Sequence, residues 1–303
     1  IDLLGITISK CNPYSLEYID AYCRFNDKYD IPLGYAYNGM NTDDGHYLRQ
    51  TLDTIIDNNK ILHPKRSLKD HIPEGYKLLR KLLAEQGDHS VVFIALGPET
   101  NLARLLISEA DEYSELDGKA LVAQKVKLLS VMGGLYDNEF DFPEWNIVND
   151  LNAAQITFKK WPTPIIASGW ELVNKIRYPH QSILNDFADS YKHPLCVSYK
   201  IFQEMPYDRE TWDLTSVLQA IEPGNNYFKL SNIWNFQWNV KFHSVNGSYK
   251  TQLPSDLLAF YEDYDIVPAI IHYTSHEKPW KNHYHTFANI WWEYDMKTHF
   301  YEI

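Results

Sequence analysis

The sequence predicts an α/β protein: a doubly wound, mostly parallel sheet with helices on both faces, followed by an aromatic-rich C-terminal appendage. Three observations carry this expectation. The apolar runs LLGITIS (3–9), SVVFIAL (90–96) and VKLLSVM (126–132) are continuous rather than alternating, as strands covered on both faces are. Stretches of helical period are interleaved with them, the pattern that builds parallel sheets. The rhythm stops near Pro223, and five of the nine Trp and six of the twelve His lie beyond it.

Taken in order, LLGITIS is followed by the amphipathic YSLEYIDAYCRF (14–25) and the strand-like IPLGYAY (31–37). The polar stretch from Asn38 to about Asp70 reads as a long functional loop. PEGYKLLRKLLAEQ (73–86) has helical period, with Pro73 suited to its first turn. Strand 90–96 leads to helix NLARLLISEA (101–110), strand 126–132 to helix DLNAAQITFKKW (150–161), and PIIASGW (164–170) reads as a further strand. More helix is expected from Gln181 to Gln203 and over WDLTSVLQAI (212–221). EPGNN (222–226) marks the junction, giving one domain over 1–223 and a second segment over 224–303.

Composition excludes several classes. A formal charge of −12 argues against nucleic-acid polymers and anionic membranes as partners. No apolar run reaches the length of a membrane span. Cys11, Cys23 and Cys196 are odd in number and widely spaced, which suits buried thiols rather than disulfides or a zinc site. Because Ile1 opens directly on an apolar strand, the expectation is that the natural beginning is lost. No signal peptide is read there. The cytoplasm is the expected location, with export left open because the natural beginning is not in view.

In α/β sheets ligands sit beyond the carboxyl ends of the strands, and two polar segments fall there. VMGGLYDNEFDFPEWNIVND (131–150) places Asn138, Glu144 and Asn146 just past a Gly-Gly strand end. The ordinary reading is a solvated loop with Asp150 capping a helix. The alternative is a clamp for a polyhydroxylated ligand, since amides donate and accept while a carboxylate accepts, with Met132 as an apolar wall. ALGPETNLARLL (95–106) is either a plain turn capped by Thr100 or Asn101, or a turn whose main-chain carbonyl serves a hard cation such as Ca²⁺. Asp213 is a helix cap or a metal carboxylate, and Asn12 a turn residue or a ligand contact.

Together GPETNLA, VMGG followed by PEWNIVNDLNAA, and IDLLGITISKCN resemble the inosine–uridine nucleoside hydrolase family over residues 1 to about 223. The resemblance implies cleavage of the N-glycosidic bond of ribonucleosides by water with bound Ca²⁺, and subunits that assemble into homo-oligomers. It implies that the Thr100 carbonyl and Asp213 hold the metal. Asn138, Glu144 and Asn146 would hold the ribose hydroxyls, with Met132 and Asn12 on the sugar side. The chemistry is coherent: carboxylates stabilise an oxocarbenium-like sugar, and a metal orients the diol and acidifies water.

Two departures bear on activity. Many members carry His before the metal-binding Asp, where this chain has Trp212, which can stack on the leaving base but cannot protonate it. The family's N-terminal D-x-D-x-x-x-D-D cluster would precede Ile1, and Asp43-Asp44 falls after the second strand, the wrong place to substitute. The general base is therefore unassigned, and impaired turnover is expected.

The tail differs. AIIHYTSHEKPWKNHYHTF (269–287) resembles the C-terminal H-x-x-G-x-x-K-P-W segment of family 8 glycosyltransferases, with Ser275 replacing Gly. That resemblance implies His272 on Mn²⁺ and Lys278 on a diphosphate. The alternatives to the hydrolase are thus a retaining, Mn²⁺-dependent glycosyltransferase using a nucleotide sugar, or a non-catalytic nucleoside- or sugar-binding remnant.

Overall fold

The computed structural model describes residues 2–136, 142–187, 189–224 and 227–229. In chain order the elements are β1 (Ile6–Ile8), α1 (Pro13–Phe25), β2 (Leu33–Tyr35), α2 (Tyr47–Asp53), β3 (Ile55–Ile56), β4 (Asn59–Lys60), α3 (Gly75–Ala84) and β5 (Val91–Ala95). They continue with α4 (Thr100–Leu106), α5 (Gly118–Lys125), β6 (Val126–Met132), α6 (Trp145–Asn149), α7 (Leu151–Lys160), β7 (Ile165–Ser168) and α8 (Trp170–Val173). The last are β8 (Arg177–Tyr178), α9 (His180–Asn185), α10 (Pro194–Phe202), β9 (Arg209–Glu210) and α11 (Leu214–Ile221).

The α/β class and the parallel pairing follow the sequence pattern. Among the described residues the parallel strands form two sheets, β1-β2 and β5-β6-β7, with β6 central in the second. Leu129 and Val131 of β6 are fully buried, as its unbroken apolar run requires. A separate core layer joins Ile8 of β1, Leu33 and Tyr35 of β2, and Leu16 of α1. Helix α3 packs on β1 and β2 and also on α4, and α11 packs on β5, β6 and β7.

Three readings are corrected. The polar stretch 38–70 holds α2 and the β3–β4 hairpin, because Leu48 and Leu52 find a buried face that so short a pattern hardly announces. The helix expected over 181–203 is two helices, the second opening at Pro194, where a ring without an N–H starts a helix well and continues one badly. The strand expected over 164–170 ends at Ser168, and Trp170 already begins α8. Of the three thiols, Cys23 and Cys196 are buried and Cys11 is partly exposed. No helix among the described residues is long and apolar enough to cross a membrane.

Candidate active site

The chain leaves β6 through Met132, Gly133 and Gly134, and Gly134 adopts φ +87°, a left-handed conformation that favours glycine. This turn lets the Gly134 amide meet Glu144, which caps α6. The Glu144 carboxylate accepts from three main-chain N–H groups: Asn146 at 2.9 Å on Oε1, and Gly134 at 3.0 Å and Ile147 at 3.1 Å on Oε2. Burial raises its pKa, and those amides oppose the shift. Asn146 donates from Nδ2 to the Met132 carbonyl at 3.0 Å, so the clamp segment is stitched to the strand end. Glu144 and Asn146 are 5% and 6% exposed, which rules out the solvated-loop reading for both.

Asp150 caps α7 through Ala153 and accepts from the Thr100 hydroxyl at 2.7 Å. The expectation that Thr100 or Asn101 caps its own helix is therefore corrected: both lie inside α4, and Glu99 holds the cap position without a side-chain capping bond. Asn12 does cap α1, accepting from Ser15 at 2.9 Å, and its Nδ2 donates to the Asp43 carbonyl at 2.7 Å. Lys10 ties the same region together, pairing with Asp43 at 3.1 Å while lying 5.4 Å from the Trp145 ring. The turns after β1 and β6 thus meet at one edge.

Asp213 occupies the cap position of α11 without making a cap bond, and its carboxylate has no hydrogen-bond or ion-pair partner among the described residues. Burial pushes its pKa up to about 7; the negative charge of Glu144 adds to the rise and Arg209 opposes it. Asp213 thus lies within reach of the charge of Glu144, sixty-nine positions away in sequence. Beside them Trp212 stands at φ +32°, unusual for a bulky residue, with its ring 6.4 Å from that of Trp170.

Two features escape the sequence reading. Glu99 is 1% exposed, and neither carboxylate oxygen has a hydrogen-bond partner in another residue. Burial, then Glu144 and Asp150, hold its pKa well above the carboxylate range. Nothing in GPET distinguishes a buried Glu from a turn Glu. The second feature is Arg209, whose guanidinium carbon lies 4.2 Å from the Phe202 ring and 5.9 Å from that of Trp212. Asn138, His272 and Lys278 lie outside the described residues.

The inosine-uridine preferring nucleoside hydrolase model matches residues 1–263. The chain belongs to that family. The match runs past residue 224, where the sequence reading places a junction. Among solved structures a plant nucleoside hydrolase, PpNRh1, shares the nucleoside hydrolase fold with this chain: 18% identity over 74% of this chain and 71% of that one, at a TM-score of 0.55. The type III effector XopQ, solved with adenosine diphosphate ribose, matches at 12% identity over 68% of this chain and 66% of that one, with a TM-score of 0.47. The effector XOO4466 matches at 13% identity over the same shares, with a TM-score of 0.48. No curated protein matches significantly.

Proposed function

We propose that this chain hydrolyses the N-glycosidic bond of ribonucleosides, releasing ribose and a free base. The observation that carries this is the Glu144 carboxylate, locked at the carboxyl end of β6 by three main-chain amides, with Asp213 within reach of its charge. Glu144 Oε1 accepts a single bond, so it retains capacity for a ribose hydroxyl, and Asn146 Oδ1 accepts nothing among the described residues. Met132 is buried with its sulfur 3.0 Å from Asn146 Nδ2, and in this reading it is the apolar wall. In this reading Asn138 completes the clamp, Asn12 lies on the sugar side and Trp212 stacks on the base. Fixed carboxylates next to C1′ favour the positive charge that develops on the sugar as the bond breaks.

The family is metal-dependent, and Ca²⁺ is the ion proposed. A partly buried carboxylate without a hydrogen-bond partner, such as Asp213, suits a hard cation, and the Thr100 carbonyl is the second proposed donor. Ca²⁺ takes about six to eight oxygens. Among the described residues no three of His, Cys, Asp and Glu gather into a metal-holding group. These donors alone do not complete a calcium site, and no step is derived through the ion. Homo-oligomeric assembly belongs to the proposal on family resemblance alone.

The test is release of reducing sugar and free base from inosine and uridine, with Ca²⁺ or with chelator. Glu144→Gln and Asp213→Asn should each cut kcat/KM by about 10²–10³-fold. No sugar release under any condition overturns the proposal.

A further inference from the structure

We propose that Arg209 is the base-side group of this site, a cation that pairs with the nucleobase as it departs as an anion. The inference rests on the hydrolase reading for its reaction and on separate observations for the residue.

The first observation is position. Arg209 lies in β9, four residues before Asp213, and its charge is felt at Asp213, Tyr47 and Tyr199. The second is the surface behind it. The guanidinium rests on Phe202, which is itself stacked on His46 with ring centroids 5.5 Å apart and met edge-on by Tyr47 at 5.8 Å. An arginine set over a ring face meets it without using an N–H donor, which leaves those groups for a ligand.

The third is donor accounting. Nη1 donates to Glu210 Oε2 at 3.3 Å, while Nε and Nη2 donate to nothing among the described residues. Glu210 also accepts from Arg177, so one carboxylate is shared between two guanidinium groups. The Arg209 side chain is 25% exposed. It is thus a partly desolvated cation with an open fork, beside Trp212 and within reach of Asp213.

The chemistry supplies a reason for such a group. When the C1′–N bond breaks, its electron pair stays on the base, and an indole at position 212 cannot donate the proton that would neutralise it. A guanidinium stays protonated at any working pH, so it stabilises the anion by charge-assisted hydrogen bonds rather than by proton transfer. Water adds to C1′ and gives up a proton to solvent. The base anion takes one from solvent on release, so nucleoside plus water yields ribose plus neutral base. Bases that delocalise negative charge over ring nitrogens and carbonyl oxygens, the oxopurines and oxopyrimidines, are the class such a fork accepts.

The test is tryptophan-fluorescence titration of the full chain with uracil, neutral at pH 7, and 5-nitrouracil, an anion there. The wild type should bind the anion at least about tenfold more tightly, the scale of one charged hydrogen bond. Arg209→Gln should erase that preference and Arg209→Lys should keep part of it, with circular dichroism verifying folding of both. Equal binding of the two bases, no binding of either, or an unchanged ratio in Arg209→Gln overturns the proposal. Cleavage is scored separately. Preference for the anion without nucleoside cleavage sinks the hydrolase reading and keeps Arg209 as a base-binding residue. Cleavage without that preference does the reverse.

Discussion

Glu144 accepts from the Gly134 amide at 3.0 Å, so the carboxylate that caps α6 also closes the end of β6. Strand, turn and helix are fixed by one side chain, and the proposed sugar clamp has little freedom to misplace itself. In the proposed reaction such anchoring is valuable because misplacement by an ångström costs rate.

Replacing Glu144 with Gln keeps the shape but brings an NH₂ against the three main-chain donors. Two oxygens now serve them, and the amide offers one. The variant should lose about 1–3 kcal/mol of stability in urea unfolding, besides its loss of activity. An unchanged midpoint would mean that the amides find other acceptors.

Trp212 has a left-handed backbone and a ring beside Trp170 and Arg209. Strain at a bulky residue persists where the surroundings impose it. Trp212→Ala should raise KM for nucleosides roughly tenfold or more, the scale of one base–aromatic stack. Product inhibition by ribose should stay as it was. Steady-state kinetics with base release as readout checks this, and an unmoved KM removes Trp212 from the base subsite.

Asp20, fully buried in α1, holds α1 to the segment at Lys65–Arg66. Burial alone would raise its pKa, but the Lys65 and Arg66 amides and the Arg66 and Arg24 guanidinium groups outweigh it and hold the pKa below the ordinary 3.8. A depressed carboxyl stabilises the fold above the unfolded-state value, and that contribution fades as pH falls through the lower folded-state value. Asp20→Asn should cost about 3–5 kcal/mol at pH 7, because it leaves two arginines without their partner. The gap to wild type should narrow only below about pH 4. Thermal unfolding across pH 2–8 reads both effects, and a constant gap would count against the assignment.

Ser198 in α10 donates to the Pro194 carbonyl at 2.8 Å and faces the Tyr18 and Tyr22 hydroxyls at 2.7 and 2.9 Å, bridging α10 to α1. Removing the hydroxyl leaves two largely buried phenols with a poorer network. Ser198→Ala should destabilise by about 1–3 kcal/mol. A loss under about 0.5 kcal/mol in urea titration would show that the tyrosines satisfy one another.

Much of the framework was legible because it is written locally. The helix at α3 shows in the spacing of Leu78, Leu79 and Leu83, all buried. The cap of α7 shows in Asp150, and the end of β6 in its glycine pair. The hairpin over Ile55–Lys60 was not legible, since two-residue strands carry no period to detect. Nor was the break at Pro194 respected by a reading that followed apolar period alone.

The sequence by itself determined the longer strands and helices and which polar residues fall at strand ends, because periodicity and turn chemistry act over a few neighbouring residues. It also determined the family, through motifs whose order survives when the rest of the chain has diverged. Only the tertiary structure decided that Glu99 is buried without a partner, that Asp213 lies within reach of Glu144's charge, and that Arg209 rests on Phe202. Those properties depend on which distant segments exclude water from a side chain. Desolvation belongs to the packed molecule, and no short stretch of sequence encodes it.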